Sequence, residues 1–162
     1  MKAAVLTVSD RVTLGEAVDR SGPAVAEMLE VFGFTVVAVE VVPDGIAPVV
    51  AGLKRWIGEV PLVVTTGGTG FSPRDLTPEA TQAVIEREAP GLAEAMRAAT
   101  FGKTPHGMLS RGVCGMVGTT LVVNLPGSVK GATESLEVVG PALTHAVELL
   151  GAHPTDHNAP TL

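Results

Sequence analysis

From Val60 to Pro78 the chain reads VPLVVTTGGTGFSPRDLTP, and no other stretch constrains the fold as tightly. Pro61 to Thr65 has the composition of a buried strand and runs directly into Gly67-Gly68-Thr69-Gly70. Glycines lack a Cβ, so the N–H groups of such a turn can converge, and converging amides hold anionic oxygens. Asp75 follows on the same loop. A carboxylate ~4 Å from a bound anion costs about 4 kcal/mol at an effective dielectric of ~20. A cation between them removes that cost, so the pairing points to phosphate together with a divalent metal.

Around this segment, apolar runs alternate with helical patterns. Ala3 to Ser9 reads as a strand with Thr7 and Ser9 at its carboxyl end. Asp19 to Phe32 carries an apolar stripe at Val25, Met28, Leu29 and Phe32 and reads as a helix stopped by Gly33. Thr35 to Val42, rich in β-branched residues, is the second strand. After the Pro43-Asp44-Gly45 turn, Ile46 to Ile57 reads as a helix with Pro48 near its start. Thr77-Pro78-Glu79 reads as a hydroxyl cap, a first-turn proline and a first-turn acid, opening a helix to about Arg87. Pro90-Gly91 opens another, reaching Thr100. Val113 to Val117 and Thr120 to Leu125 flank Gly118-Thr119, a hairpin signal. Pro126-Gly127-Ser128 leads into a last helical region, which Gly140-Pro141 is expected to break or kink before Ala142 to Leu150.

Strand–helix–strand–helix–strand order gives right-handed crossovers. The expected fold is α/β: three layers, a mostly parallel sheet flanked by helices, with the hairpin adding an antiparallel part. Residues 1–152 form one domain in this reading, and 153–162 a polar C-terminal tail.

At 162 residues the chain can bury roughly 70% of its unfolded surface. With 46% hydrophobic residues, the composition argues against disorder. Seventeen acidic against 11 basic residues give a net charge of −6, with no block of Lys and Arg. That balance argues against nucleic acid or an anionic membrane as partner. No apolar run approaches the ~18 residues of a membrane span. The start, MKAAVLTVSDR, turns polar too early for a signal peptide, so a soluble, cytoplasmic protein is expected. Cys114, the sole cysteine, rules out an intramolecular disulfide, and with no cationic or histidine neighbour in sequence it reads as a packed strand residue. His106, His145, His153 and His157 lack metal-ligand spacing, and Trp56 reads as packing.

Thr7-Val8-Ser9-Asp10, Pro43-Asp44, Gly67 to Gly70 and Asn124 to Ser128 all fall where strands end. In open α/β sheets, ligands bind in the crevice outside those ends. Taken singly, each has a plain explanation. The glycines suit a tight turn, Asp75 a solvated acid or an Arg74 partner, Asp44 a turn former, and Ser128 an ordinary helix cap. Taken together, two carboxylates in one crevice can hold Mg²⁺, which keeps water and takes substrate phosphate. A helix N-terminus after Ser128 favours an anion. Thr100, Ser110 and Arg111 lie in loops or at helix ends, open to a polar ligand or to solvent.

LTVSD (Leu6 to Asp10), DRSG (Asp19 to Gly22), VPD (Val42 to Asp44), TTGGTGFSPRDLTPEAT (Thr65 to Thr81), TPHGMLSRGVCG (Thr104 to Gly115) and NLPGSVKG (Asn124 to Gly131) occur in order. Together they resemble the molybdopterin adenylyltransferase family, which takes in the bacterial MogA and MoaB proteins and the G domains of gephyrin and its plant counterpart. The resemblance covers about nine tenths of the chain. It implies transfer of AMP from ATP to the terminal phosphate of molybdopterin, with pyrophosphate released. It implies catalytic and Mg²⁺-holding roles for Asp44 and Asp75. Positions around substrate or nucleotide are, by the same likeness, Thr7, Ser9, Gly67, Gly68, Thr69, Gly70, Thr100, Ser110, Asn124, Pro126, Gly127 and Ser128. It further implies a homotrimer or hexamer, with the molybdenum-insertion enzyme as a partner. A catalytically silent, molybdopterin-binding or scaffold member of the same family is the alternative. A nucleotide-binding oxidoreductase is disfavoured because the glycine loop does not match the dinucleotide fingerprint.

Overall fold

A computed structural model describes residues 1–151. Six strands form one sheet in the order β2-β1-β3-β6-β5-β4. The strands are β1 (Lys2–Val8), β2 (Thr35–Val42), β3 (Leu62–Thr66), β4 (Arg87–Glu88), β5 (Cys114–Val117) and β6 (Thr120–Leu125). β2, β1, β3 and β6 run parallel, while β5 and β4 run antiparallel to their neighbours. The helices are α1 (Asp10–Thr13), α2 (Ser21–Val31), α3 (Ile46–Trp56), α4 (Thr77–Gln82), α5 (Pro90–Ala98) and α6 (Val129–Gly151), and Pro105–Leu109 form a 3₁₀ turn.

Alternate residues of the central strands feed two cores. Ala3, Val5, Leu62, Val64, Leu121 and Val123 pack with Val25 and Leu29 of α2, Met96 of α5, and Leu136 and Leu143 of α6. Ala4, Leu6, Val63 and Val122 face the other way, against Val49 and Leu53 of α3 and Ala80 of α4. The result is the expected three-layer α/β fold. β3, buried at every position, shows why its sequence has no alternation: helices cover both faces. Among the described residues no helix is long and apolar enough to cross a membrane. The tail 153–162, with His153 and His157, lies outside the described residues.

Three local expectations are corrected. First, α4 stops at Gln82 instead of Arg87, because Arg87–Glu88 joins the sheet as β4. The N–H groups of Glu86 and Ala89 donate to the carbonyls of Met116 and Cys114 at 2.8 Å each. Gly115 allows this approach, since a Cβ there would stand 2.8 Å from the Arg87 carbonyl oxygen. Second, Thr77 does not cap α4. Its hydroxyl donates instead to the Gly67 carbonyl at 2.9 Å, fastening helix to glycine turn. Third, α6 runs unbroken for 23 residues with Pro141 inside it. Pro141 and Glu137 both lie on the exposed face, so the carbonyl that Pro141 leaves unbonded meets water. Gly140 faces inward and lets the Phe32 ring pack where a Cβ would stand 2.2 Å from it.

Candidate functional site

The order β2-β1-β3 means that the chain leaves β1 toward one side of the sheet and later reappears on the other. The carboxyl ends of β1 and β3 therefore flank the topological switch, where a crevice opens. A cleft of about 310 Å³ lies there. Among the residues singled out from sequence, Thr7, Ser9, Asp44, Gly67, Gly68, Asp75 and Gly127 line it together.

Close backbone approach shapes the cleft floor. Gly67 has φ +106, and a Cβ on it would stand 2.3 Å from the Val8 carbonyl oxygen. Its N–H donates to the Leu125 carbonyl at 3.2 Å. A Cβ on Gly127 would stand 3.1 Å from Gly67 Cα, so the turns after β3 and β6 touch. Gly68 and Gly127 donate to no backbone carbonyl of the described residues, which leaves two amides at the cleft for an anion. Ser9 caps α1, accepting from the Val12 N–H, and Ser128 accepts from the Gly131 N–H at 3.1 Å at the exposed start of α6.

Asp10 and Asp44 lock the ends of β1 and β2 together by exchanging bonds. The Asp10 N–H donates to Asp44 Oδ2 at 2.7 Å, and the Asp44 N–H to Asp10 Oδ1 at 3.0 Å. Arg74 then bridges from the glycine loop to Asp10, with Nε 2.6 Å from Oδ2. This guanidinium holds the Asp10 carboxyl below the usual carboxylate range. Burial pushes the Asp44 carboxyl above that range, and the negative charges of Asp10 and Asp75 add to the push against the Asp10 amide and Arg74. Asp75 accepts from the Ser72 N–H on Oδ2 at 2.9 Å. Oδ1 of Asp44 and Oδ1 of Asp75 take no hydrogen bond from the described residues.

This donor set fits Mg²⁺. Asp44 and Asp75 bring two hard carboxylates to one cleft, and a dication there would favour the ionised Asp44 that burial, and after it the charges of Asp10 and Asp75, disfavour. No group of three or more His, Cys, Asp or Glu residues suited to a metal exists among the described residues. The remaining ligands would be water and substrate oxygens, as Mg²⁺ prefers.

Thr100, Ser110, Asn124 and Pro126 line a second, smaller cavity of about 30 Å³. Asn124 is buried with its amide fully engaged: Nδ2 donates to Thr65 Oγ1 at 3.0 Å and Thr81 Oγ1 at 2.9 Å, and Oδ1 accepts from the Val113 N–H at 3.1 Å. It ties β3, α4 and β6 together. Cys114 is buried, which pushes its thiol up to about 12 and makes it a poor nucleophile.

A family described as "Probable molybdopterin binding domain", of molybdenum cofactor biosynthesis, matches residues 4–145. The chain belongs to this family. A molybdopterin adenylyltransferase of Helicobacter pylori is 39% identical over 150 residues, covering 90% of this chain and 85% of its own. A gephyrin of Dictyostelium discoideum is 42% identical over 93% of this chain, which spans only 22% of that protein. The molybdopterin biosynthesis enzyme MoaB of Thermus thermophilus superposes with a TM-score of 0.88 at 47% identity, covering 96% of this chain and 99% of its own.

In this member of the family, three side chains at the cleft carry contacts that the sequence left unassigned. Asp19 accepts from the Thr7 hydroxyl at 2.8 Å and from the Gly22 N–H at 2.9 Å, pinning the cleft wall to the start of α2. The signal was Gly22 in DRSG, where a Cβ would stand 2.4 Å from Thr7 Oγ1. Asp10 gave no local sign, because its partners lie 34 and 64 residues away.

Arg111 is the third. It is turned toward protein and clamps the glycine loop from behind. Its N–H donates to the Thr69 carbonyl and its Nε to the Gly70 carbonyl, both at 2.9 Å. Its terminal nitrogens reach the Asp75 carbonyl and the Glu79 carboxylate. The same ion pair holds the Glu79 carboxyl below its ordinary value. Arg111→Ala is expected to lower the unfolding free energy by about 1–3 kcal/mol, read by urea denaturation. Amide exchange should also rise in residues 69–76.

Proposed function

We propose that this chain transfers AMP from ATP to the terminal phosphate of molybdopterin, forming adenylyl-molybdopterin and releasing pyrophosphate. One observation carries the reading: Asp44, Asp75 and the Gly67-Gly68 turn share a single cleft at the switch point. The adenylyltransferase name borne by the H. pylori relative, matched over most of both chains, supports the same chemistry. The first curated relatives are longer, this chain spanning 22%, 25% and 48% of them.

In this reading an oxygen of the molybdopterin phosphate attacks the α-phosphorus of ATP, and the bond to pyrophosphate breaks. The Gly68 and Gly127 amides hold phosphate oxygens, while Asp44 and Asp75 would hold Mg²⁺. Bound Mg²⁺ would supply Lewis-acid neutralisation of charge building on the transferring group. Asp10 and Asp19 orient Asp44 and Thr7, so the cleft keeps its shape as substrate enters. No protein nucleophile is needed, consistent with the inert Cys114 thiol. Assembly as a homotrimer or hexamer and hand-over to a molybdenum-insertion enzyme belong to the same proposal.

Purified protein given ATP, Mg²⁺ and molybdopterin is expected to yield adenylyl-molybdopterin and pyrophosphate in equal amounts. Absence of both products overturns the reading. A covalent AMP–protein adduct trapped in turnover overturns direct attack.

A further inference from the structure

Arg74 is the sequence neighbour of one acid and the spatial neighbour of the other, at the edge of the cleft that Asp44 and Asp75 line. It directly precedes Asp75, and a terminal nitrogen donates to the Asp44 carbonyl at 2.7 Å and to Asp10 Oδ1 at 3.1 Å. With Nε on Asp10 Oδ2, the guanidinium covers both oxygens of Asp10, while Asp10 is itself bonded to Asp44. A positive charge thus already stands in the negative field of Asp10 and Asp44. Asp19 and Arg20 line the cleft itself and add one charge of each sign.

We propose that Arg74 is the protein's own stand-in for a divalent cation. In the free protein the guanidinium keeps bare metal off the Asp44–Asp75 pair, and it yields when metal arrives already bound to polyphosphate. This rests on reading Asp44 and Asp75 as the metal-holding pair.

The physical reason is charge balance. A bare dication entering beside a guanidinium is repelled, and part of the acids' field is already neutralised. A metal–triphosphate brings its own negative oxygens. These satisfy the dication and accept a two-pronged hydrogen bond from Arg74 at once. The side chain is 61% exposed, so it gives up little packing when it swings from Asp10 to phosphate. Metal and nucleotide therefore bind as one unit, and free metal binds poorly.

A rival role for Arg74, a latch that merely keeps Asp75 in place, predicts the opposite sign. Mn²⁺ alone, titrated by electron paramagnetic resonance, separates the two. Arg74→Ala is expected to bind free Mn²⁺ about tenfold tighter than the wild type, because a repelling charge is gone. The same variant is expected to bind Mn²⁺–ATP about tenfold more weakly, because the guanidinium–phosphate contact is lost. Arg74→Lys, which keeps the charge, should stay near the wild type for free Mn²⁺. Unchanged or weaker free Mn²⁺ binding in Arg74→Ala overturns the proposal. If Asp44→Asn abolishes that binding at the same time, the metal-holding pair stands and only the role of Arg74 fails. Absence of Mn²⁺ binding in every protein, with or without ATP, overturns both.

Discussion

Asp44→Asn and Asp75→Asn are each expected to lower Mg²⁺-dependent adenylyl transfer on the order of 10²–10³-fold while leaving the fold intact. Both substitutions are conservative toward the protein. An asparagine Oδ1 can still accept the Asp10 N–H at position 44, or the Ser72 N–H at position 75. What each loses is negative charge directed at the cleft. For Asp44 the sign of the stability change also follows. Its carboxyl is raised in the folded protein, so the folded state holds the proton to higher pH than the unfolded chain. Stability contributed at this position therefore falls as pH climbs from the ordinary carboxylate value through the raised one. At neutral pH the ionised Asp44 is a net burden on the metal-free fold, and Asp44→Asn should melt at the same or a higher temperature than the wild type. The difference should shrink as pH drops below the ordinary carboxylate value. A variant that is inactive and no less stable is the signature of a group kept for chemistry. Melting curves from pH 3 to 8 beside the transfer assay check both halves, and full activity in both variants would remove these acids from the mechanism.

The parts legible in sequence were those fixed by local pattern. β2 was bounded at Thr35 and Val42, and the β5–β6 hairpin was placed around Gly118-Thr119, because β-branched runs and turn residues carry their own signal. The parts that were not legible depend on contacts remote in sequence. β4 has two exposed residues and exists only because β5 offers an unpaired edge. Thr77 has the look of a cap, yet the glycine turn ten residues earlier captures its hydroxyl. Pro141 looks like a helix stop, yet a continuous buried stripe from Ala132 to Val147 carries α6 past it. At the site, strand-end placement foretold that Asp44, Asp75 and the glycine turn would meet. It did not foretell that Asn124 would spend its amide on Thr65 and Thr81, or that Asp10 would be the hinge between Asp44 and Arg74.

Gly67→Ala is expected to be the most damaging single-methyl change at the site, lowering the unfolding free energy by about 2–5 kcal/mol. Two effects add. The backbone at φ +106 lies where side-chain-bearing residues are strained, and the new Cβ would stand 2.3 Å from the Val8 carbonyl oxygen. That oxygen belongs to a central strand, so relief requires β1 and β3 to move apart at their carboxyl ends. Gly118→Ala isolates the first effect. Gly118 has φ +53, and a Cβ there would meet nothing within 4 Å. Only the left-handed conformation is then penalised, at roughly 1–2 kcal/mol. Urea denaturation of the two variants side by side reads the difference. Equal stability would mean that the approach of Gly67 to Val8 is not what demands a glycine. Because Gly67 is also bonded to Leu125 and to Thr77, separating the strand ends would disturb the β6 turn and α4 together. Loss of nucleotide binding should therefore accompany the loss of stability in Gly67→Ala, while Gly118→Ala, at the far tip of the hairpin, should bind as the wild type does.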